Sequence, residues 1–317
     1  MTRANLGFFQ VVAMSLLLPA TACGPAQRGS GVTQTADTGA LGPAPALCSN
    51  QEIEGNGLSS NGLTGNGICQ NGLGAAGLDL ARLGDADFAA WFNDDPARSD
   101  MIMRYAYKCA AADGASLTWT NPVTDQSYTW VGGLGLATSW VSGTPATVAE
   151  QQVVTACLGA LVNKYGVHVT IAVEGRTATG EAIPPDPGEL SRFSVREACF
   201  FGNLFTNEGV FVGVDHPAWD PSLSSVRACA MDGQAIGISI DCPPEYYVGS
   251  CADSCTPDES GTFYESCAFN GVSYRPLVTR LEPSDVYTCG DGVCQISEHC
   301  GTGTESNNCN SDCGPCP

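Results

Sequence analysis

Residues 147–174 read TVAEQQVVTACLGALVNKYGVHVTIAVE and carry the strongest local signals in the chain. Thr147 and Glu150 have the spacing of a capping box, and Gly166 has the position of a glycine that follows a helix. The apolar residues between them recur at helical spacing. This stretch therefore predicts a helix over residues 147–165 that packs its apolar stripe against a core.

Several short segments with alternating or mostly apolar residues predict strands. They are residues 116–120, 127–131, 167–174, 209–214 and 235–240. The first two flank a turn and predict a hairpin on which Trp119 and Trp130 face each other. In the third segment, alternation predicts one buried face, made of Val167, Val169, Ile171 and Val173.

Two further helices are predicted before the hairpin. The first begins after Asp85, and the second covers residues 100–112 with Ser99 as its N-cap. A few capped helices with short strands, without regular strand–helix–strand spacing, predict an α+β fold with a small antiparallel sheet. A short coil of period five precedes this fold, and a disulfide-rich tail follows it.

Four segments of this region resemble a family of secreted proteins from myxobacteria and related bacteria. They are Trp119…Trp130, residues 154–158, residues 163–167 and residues 196–205. The resemblance covers roughly residues 97–215. The family has no established activity, so the resemblance implies an exported location more than a chemistry.

The composition limits both the compartment and the partners. The chain has 317 residues and 17 cysteines, and 33 Asp or Glu against 13 Lys or Arg give it a formal net charge of −20. Dense cysteine with only three scattered histidines is typical of disulfides in an oxidising compartment. Because an acidic chain offers no basic surface for phosphates, nucleic acid is excluded as a partner.

The N-terminal residues predict export. Residues 1–22 have the basic start and the short apolar run of a signal peptide. The residues Ala-Thr-Ala-Cys that end at Cys23 resemble a bacterial lipobox, which implies a lipid on Cys23 and a flexible tether over residues 23–47. The predicted location is the outer membrane or cell surface of a Gram-negative bacterium. The alternative is an ordinary Ala-x-Ala cleavage site at residues 20–22.

A period of five residues marks residues 48–84. Its apolar positions are Ile53, Leu58, Leu63, Ile68, Leu73, Leu78, Leu83 and, just beyond, Phe88. Asn-Gly pairs before several of them suit corners, and the spacing resembles pentapeptide-repeat β-helices, so we expect a short coil with the apolar side chains pointing inward. A glycine-rich spacer that orders only against the main domain is the alternative.

The rest of the chain divides by composition. We expect a central α+β domain over residues 85–241, a cysteine-containing connector over 242–288 and a terminal module over 289–317. The module begins CGDGVC and ends near DCG, which resembles the short cysteine-rich repeats of bacterial extracellular proteins. Its few apolar residues cannot form a core, so disulfides must hold it.

With Cys23 assigned to a lipid, an even number of cysteines remains for disulfides. They are Cys48, Cys69, Cys109, Cys157, Cys199, Cys229, Cys242, Cys251, Cys255, Cys267, Cys289, Cys294, Cys300, Cys309, Cys313 and Cys316. A bridge between Cys48 and Cys69 would hold the coil. The pairing inside the terminal module stays open among fifteen possibilities.

Acidic side chains in the terminal module make calcium the one cofactor considered. Asp291, Glu298 and Asp312, together with Asn308, are hard oxygen donors in a tight loop. The alternative is that the carboxylates are solvated around a turn. Zinc is disfavoured, because an exported chain forms disulfides first.

Enzyme signatures are absent from the sequence. It has no nucleophile elbow, zinc-protease motif, P-loop or dinucleotide fingerprint, so no catalytic residue is assigned and a non-enzymatic role is favoured. His168 is predicted to lie on the polar face of its strand and His216 in a turn. A hydrolase built on carboxylates, with Glu174, Glu197 or Asp215, remains an alternative.

The favoured hypothesis is a surface-anchored, disulfide-stabilised module that binds or supports other molecules. Its partners would be the membrane, through the lipid, and a protein or polysaccharide surface. Contact would use Trp119, Trp130 and Trp140 beside Asn163 or Asn203, although core packing of each aromatic is the competing interpretation. A calcium-dependent interaction module is the third hypothesis.

Overall fold

The computed structural model describes residues 73–163, 169–183, 188–215, 227–231, 242, 244–302 and 308–316. Its helices are α1 (Leu80–Leu83), α2 (Ala86–Asp94), α3 (Pro96–Ala110), α4 (Thr138–Val141), α5 (Val148–Leu161), α6 (Glu189–Arg192), α7 (Cys251–Ser254) and α8 (Asn310–Cys313). Its strands are β1 (Ser116–Thr120), β2 (Ser127–Val131), β3 (Ala172–Gly175), β4 (Val195–Asn203), β5 (Gly209–Val214), β6 (Glu245–Ser250), β7 (Cys255–Pro257), β8 (Tyr264–Phe269), β9 (Val272–Tyr274) and β10 (Leu277–Leu281).

A five-stranded sheet with the order β3-β10-β4-β5-β6 forms the centre of the fold. Its neighbours are antiparallel except for β5 and β6, which run parallel. Two smaller antiparallel sheets, β1-β2 and β7-β8-β9, accompany it. The predicted α+β class is confirmed.

Strand β4 separates two apolar cores. Ala198 and Phe200 belong to the core that the helices cover, whereas Cys199 and Phe201 belong to a second core with Tyr274 and other residues near the three-stranded sheet. Successive strand side chains point to opposite faces, so a strand covered on both sides needs apolar residues at nearly every position. This explains the run Ala-Cys-Phe-Phe in β4.

Helix α5 begins as predicted and ends early. The Thr147 Oγ1 accepts a hydrogen bond from the Glu150 N–H at 3.2 Å, and the Thr147 N–H donates to Glu150 Oε2 at 3.0 Å, which confirms the capping box. The helix ends at Leu161 rather than residue 165. There the Arg227 guanidinium bonds carbonyl groups that a longer helix would have bonded itself. The predicted terminating glycine, Gly166, lies outside the described residues.

The predicted strand after this helix is shorter, and its buried face is wrong in the described part. Only Ala172–Gly175 forms β3, in which Ala172 and Glu174 are buried and Val173 is half-buried. The reason is an ion pair, since Arg280 Nε of the neighbouring strand lies 3.0 Å from Glu174 Oε1. Val169 is buried as predicted, whereas Val167 lies outside the described residues.

The hairpin has the predicted strand limits but a different cross-strand pairing. Trp119 lies opposite Tyr128, and Trp130 lies opposite Leu117, so the prediction that the two tryptophans face each other is wrong. The six-residue turn pairs Thr120 with Ser127 and so fixes every later pair. Both tryptophans instead pack near Phe92, with ring centroids at 4.8 and 6.2 Å.

Helix α2 begins after Asp85 as predicted, but α3 begins earlier than predicted. Its N-cap is Asp95 rather than Ser99, and the Asp95 Oδ1 accepts a hydrogen bond from the Arg98 N–H at 3.2 Å. Pro96 occupies the first helical position, where its missing N–H is not needed. Ser99 is buried inside the helix.

The described part of the period-five segment is anchored to the helical core. Its apolar positions are at most 1% exposed, as expected for inward-pointing side chains: Leu73, Leu78, Leu83 and Phe88. The Leu78 N–H donates to the Trp140 carbonyl at 2.7 Å, and Trp140 Nε1 donates to the Ala76 carbonyl at 2.9 Å. Leu83 and Phe88 lie in α1 and α2 rather than in a coil. The earlier repeats lie outside the described residues, so the coil stays a prediction.

The central sheet takes strands from beyond residue 241. Strands β6 and β10 both come from the segment predicted as a connector, and β10 lies between β3 and β4. The central sheet therefore combines strands from both sides of the boundary expected between residues 241 and 242. Residues 1–22 and 23–47, and the strand predicted over residues 235–240, lie outside the described residues.

Replacement of Gly159 by alanine tests the packing of α5 on the sheet. An added Cβ would lie 2.5 Å from Val210 Cγ1, and a β-branched side chain cannot swing away easily. Overpacking of this kind costs about 1–3 kcal/mol, which exceeds the gain of about 1 kcal/mol from helix propensity. We expect Gly159→Ala to lower the denaturant midpoint of unfolding.

Gly188→Ala is the matched control. Its φ is −93°, and an added Cβ there meets no described atom within 4 Å. Its free energy of unfolding should stay within about 0.5 kcal/mol of that of the parent. Equal midpoints for the two variants would contradict this packing of α5.

Candidate functional site

Seven disulfides join fourteen cysteines of the described residues. They are Cys109–Cys157, Cys199–Cys251, Cys229–Cys242, Cys255–Cys267, Cys289–Cys309, Cys294–Cys313 and Cys300–Cys316. Disulfide formation is therefore confirmed for these residues. Cys23, Cys48 and Cys69 lie outside the described residues, so the lipid site and the eighth bridge stay predictions.

The disulfides also bear on chemistry. Every cysteine in the described part of the chain is paired, so none of them offers a thiolate nucleophile. Bridges of this density fit an oxidising, extracytoplasmic compartment. Within the described ranges, no helix has both the length and the apolar character needed to cross a membrane.

Glu197, the first of the three candidate carboxylates, forms a buried ion pair. Its Oε2 lies 3.0 Å from Arg227 Nη2, and the two side chains are 0% and 2% exposed. Glu197 also accepts hydrogen bonds from the Arg227 backbone N–H at 2.9 Å and from Thr279 Oγ1 at 2.7 Å. A carboxyl group with so many hydrogen-bond donors around it serves the fold.

The other two carboxylates have arginine partners of their own. Burial raises the pKa of Glu174, and the nearby charge of Arg280 opposes this shift. Asp215 pairs with Arg196 at 2.5 Å and accepts a hydrogen bond from the Tyr264 hydroxyl at 2.8 Å. Burial and this bond raise the pKa of Tyr264 to about 12. The structure therefore distributes the three acids over three separate ion pairs.

A cavity of about 170 Å³ lies beside the first of these ion pairs. Its described lining includes Lys108, Asn163 and Arg227 but no carboxylate. A hydrolase of the predicted kind needs two carboxyl groups that face one bond. This lining does not supply that pair, and His168 and His216 lie outside the described residues.

The three tryptophans expected on a binding surface are core residues. Trp119, Trp130 and Trp140 are 6%, 1% and 0% exposed. Asn203 is buried too, where its Nδ2 donates to Gln151 Oε1 at 3.1 Å. The hypothesis of an aromatic contact surface made from these side chains is therefore wrong, and the competing interpretation of core packing is correct.

The terminal module does not gather its predicted metal ligands into one group. Among the described residues, Asp312 lies with Cys289 and Cys309, whereas Glu298 lies with Cys294 and Cys313. Asp312 Oδ2 accepts hydrogen bonds from the Gly290 and Asp291 N–H groups, which hold the pKa of Asp312 below its usual value. Asp291 accepts from the Val293 N–H at 2.8 Å and from Gln295 Nε2 at 2.7 Å. Both aspartates thus organise the loop.

Glu298 differs from these two aspartates. It is 7% exposed, and its Oε2 accepts a hydrogen bond from the Gln295 N–H at 3.3 Å. Its Oε1 is buried without a hydrogen-bond partner among the described residues. Burial raises the pKa of Glu298, and the charges of Asp312 and Asp291 add to the effect, whereas the backbone N–H groups of Gln295 and Thr288 oppose it.

Sequence reasoning missed two buried charged groups. Arg227 lies two residues before Cys229, and Glu245 follows two prolines, so neither pattern predicts burial. Glu245 is 1% exposed, and its Oε2 accepts a hydrogen bond from the Ala230 N–H at 3.3 Å. Burial raises its pKa to about 7. The burial of these two side chains depends on partner segments that are distant along the chain, so no local pattern predicts it.

Comparison with known proteins gives no match. No protein-family model, no curated protein and no solved structure matches this chain. The resemblance to secreted myxobacterial proteins therefore stays a prediction from the quoted residues.

Replacement of Arg227 tests the buried ion pair. Arg227→Met leaves the Glu197 carboxylate buried without its counter-charge, so we expect a loss of about 3–5 kcal/mol in the free energy of unfolding. The double variant with Glu197→Leu should recover much of this loss, because a well-packed apolar pair needs no counter-charge. Denaturant titration of both variants measures the difference.

Arg98→Met is the matched control, because Arg98 and its partner Asp95 are 43% and 41% exposed. An exposed pair contributes about 0–1 kcal/mol. If Arg227→Met were no more damaging than Arg98→Met, the buried pair would not hold the fold in the way described.

Glu245 predicts a pH dependence of stability. Its pKa is about 7 in the folded protein and about 4.5 when unfolded, so the folded state holds the proton more tightly. The stabilisation is complete below about pH 4.5 and is lost as the pH rises through 7. Between pH 4.5 and 8 the parent should lose about 3 kcal/mol more than Glu245→Gln does.

Denaturant melts of the two proteins across this pH range make the comparison, with Glu259→Gln as an exposed control. The control should follow the parent at every pH. Parallel curves for the parent and Glu245→Gln would show that Glu245 does not titrate in this range.

Proposed function

We propose that this protein is an exported lipoprotein of the bacterial cell surface whose disulfide-held body acts as a binding or structural module. The observation that carries the proposal is the set of seven disulfides, which pairs every described cysteine. Such bonds persist outside the reducing cytosol. The signal-like residues 1–22 supply a route out of the cell.

A lipid on Cys23 would supply the membrane affinity that the body lacks. With a formal net charge of −20, the chain is repelled by anionic headgroups rather than attracted. Two or more acyl chains give stable anchoring, whereas one gives reversible binding. The tether predicted over residues 23–47, rich in Gly, Ala, Thr and Pro, would hold the body at a distance from the membrane.

Two observations favour a binding or structural role over a carboxylate hydrolase. Each of Glu174, Glu197 and Asp215 has its own arginine, and no carboxylate lines the described cavity. The outer face of the hairpin instead exposes hydroxyl groups that bond one another, Thr118 to Thr129 and Thr120 to Ser127 at 2.9 Å. A flat polar face of this kind suits a polysaccharide or protein surface.

Substitution of Cys23 tests the anchor. The parent should take up labelled fatty acid and remain in the membrane fraction, and its N-terminal peptide should begin at Cys23 with added acyl mass. Cys23→Ala should lose the label and leave the membrane, because the lipid is its only attachment in this proposal. Fractionation and mass spectrometry of the mature chain provide the readouts.

Ser30→Ala, in the same tether, is the matched control and should behave as the parent does. A parent chain that begins at residue 23 without acyl mass would overturn the lipoprotein proposal. A chain that keeps reduced cysteines after export would overturn the disulfide argument.

A further inference from the structure

Three buried oxygen atoms of the terminal module have no hydrogen-bond partner among the described residues. They are Ser297 Oγ, Glu298 Oε1 and Asn308 Oδ1. Ser297 is 0% exposed and Glu298 7% exposed. Because buried polar atoms in folded proteins nearly always have a partner, each such atom needs an explanation.

The charge of the module makes the unpartnered carboxylate harder to explain. Residues 289–317 contain Asp291, Glu298, Glu305 and Asp312 but no Lys or Arg. In the body of the protein, by contrast, Glu174, Glu197 and Asp215 each have an arginine within salt-bridge distance. A buried anion without a counter-charge is costly. No Lys or Arg of the module supplies such a counter-charge.

Further contacts link the segments that carry these atoms. Glu298 Oε2 lies 3.6 Å from Cys313 Sγ, directly after Asp312. The backbone of Asn308 forms a β-bridge with that of His299, the residue after Glu298. The Asn308 carbonyl also accepts a hydrogen bond from the Tyr287 hydroxyl at 3.4 Å. Burial raises the pKa of Tyr287, and the charges of Glu298 and Asp312 add to the effect.

We propose that the terminal module binds one divalent cation of the calcium class, with Glu298 Oε1 as the central ligand. Ser297 Oγ and Asn308 Oδ1 supply neutral donors, and Asp291 and Asp312 add negative charge to the module. Calcium takes six to eight oxygen ligands in flexible geometry, which suits a set of carboxylate, amide and hydroxyl oxygens. All six cysteines of the module are in disulfides, so a thiolate zinc site is not available.

The proposed ligands differ from those expected from the sequence. Asp291 and Asp312 mainly position the loop through backbone N–H groups, and Glu298 carries the free oxygen. The site does not depend on the anchor, because it holds whether or not Cys23 carries a lipid. A cation there would strengthen a module that has no apolar core, in the range of weak affinity typical of extracellular calcium modules, about 10⁻⁴–10⁻³ M.

Terbium luminescence tests the site in the full oxidised chain. After chelator treatment and dialysis, Tb³⁺ is titrated with excitation of tyrosine, because Tyr287 is the sensitiser near the proposed ligands. We expect saturable luminescence that excess Ca²⁺ displaces and that Tyr287→Phe reduces strongly. Calcium should also raise the melting temperature, and the chelator should reverse that rise.

Glu298→Gln keeps the shape of the side chain and removes its charge. It should weaken Ca²⁺ binding at least tenfold, whereas the exposed control Glu259→Gln should bind as the parent does. Asn308→Ala removes a neutral donor and should weaken binding less than Glu298→Gln. Intact mass before and after reduction confirms that each variant keeps its disulfides.

Two results would overturn the proposal. One is a parent protein that shows no Ca²⁺-displaceable Tb³⁺ signal up to about 10 mM Ca²⁺, well above the affinity range of extracellular modules. The other is a Glu298→Gln variant with intact disulfides that binds as tightly as the parent. Neither result touches the lipid anchor, which is tested separately through Cys23.

Discussion

The buried ion pair between Arg227 and Glu197 is the interaction on which the architecture depends. The Arg227 guanidinium joins the central strand β4 to the carbonyl groups of Ala160 and Val162 at the end of α5, and Thr279 on β10 bonds the same carboxylate. Three elements far apart along the chain therefore meet at one charge. Because a lone buried charge is far more costly than a paired one, these elements are stable only together.

Buried negative charge is compensated differently before residue 289 and in the terminal module. In the body, each candidate carboxylate is neutralised by an arginine from another strand or loop, so acidity serves the fold. In the terminal module, disulfides replace the apolar core, and no Lys or Arg is present to neutralise Glu298. The two regions thus treat buried negative charge in different ways, which is why the module, and not the cavity of the body, is the place to expect a ligand.

Local signals were readable in the sequence, and long-range ones were not. The capping box of Thr147, the hairpin limits and the α+β class follow from short patterns, and the inward positions Leu73 to Phe88 follow from a fixed period. The buried face of β3 could not be predicted from a short pattern, because its partner Arg280 comes from a strand about a hundred residues later. For the same reason the insertion of β10 beside β4 has no local signature, and an aromatic pattern could not distinguish a buried tryptophan from an exposed one.

The lack of Lys and Arg after Arg280 also affects how proteases can cleave residues 281–317. Residues 281–317 contain no Lys or Arg, so enzymes that cleave after basic side chains find no bond to cut there. Three disulfides cross-link the same stretch, so a cut by any other enzyme leaves the fragments joined until the bonds are reduced. The terminal module is therefore expected to resist proteolysis better than the segments around it.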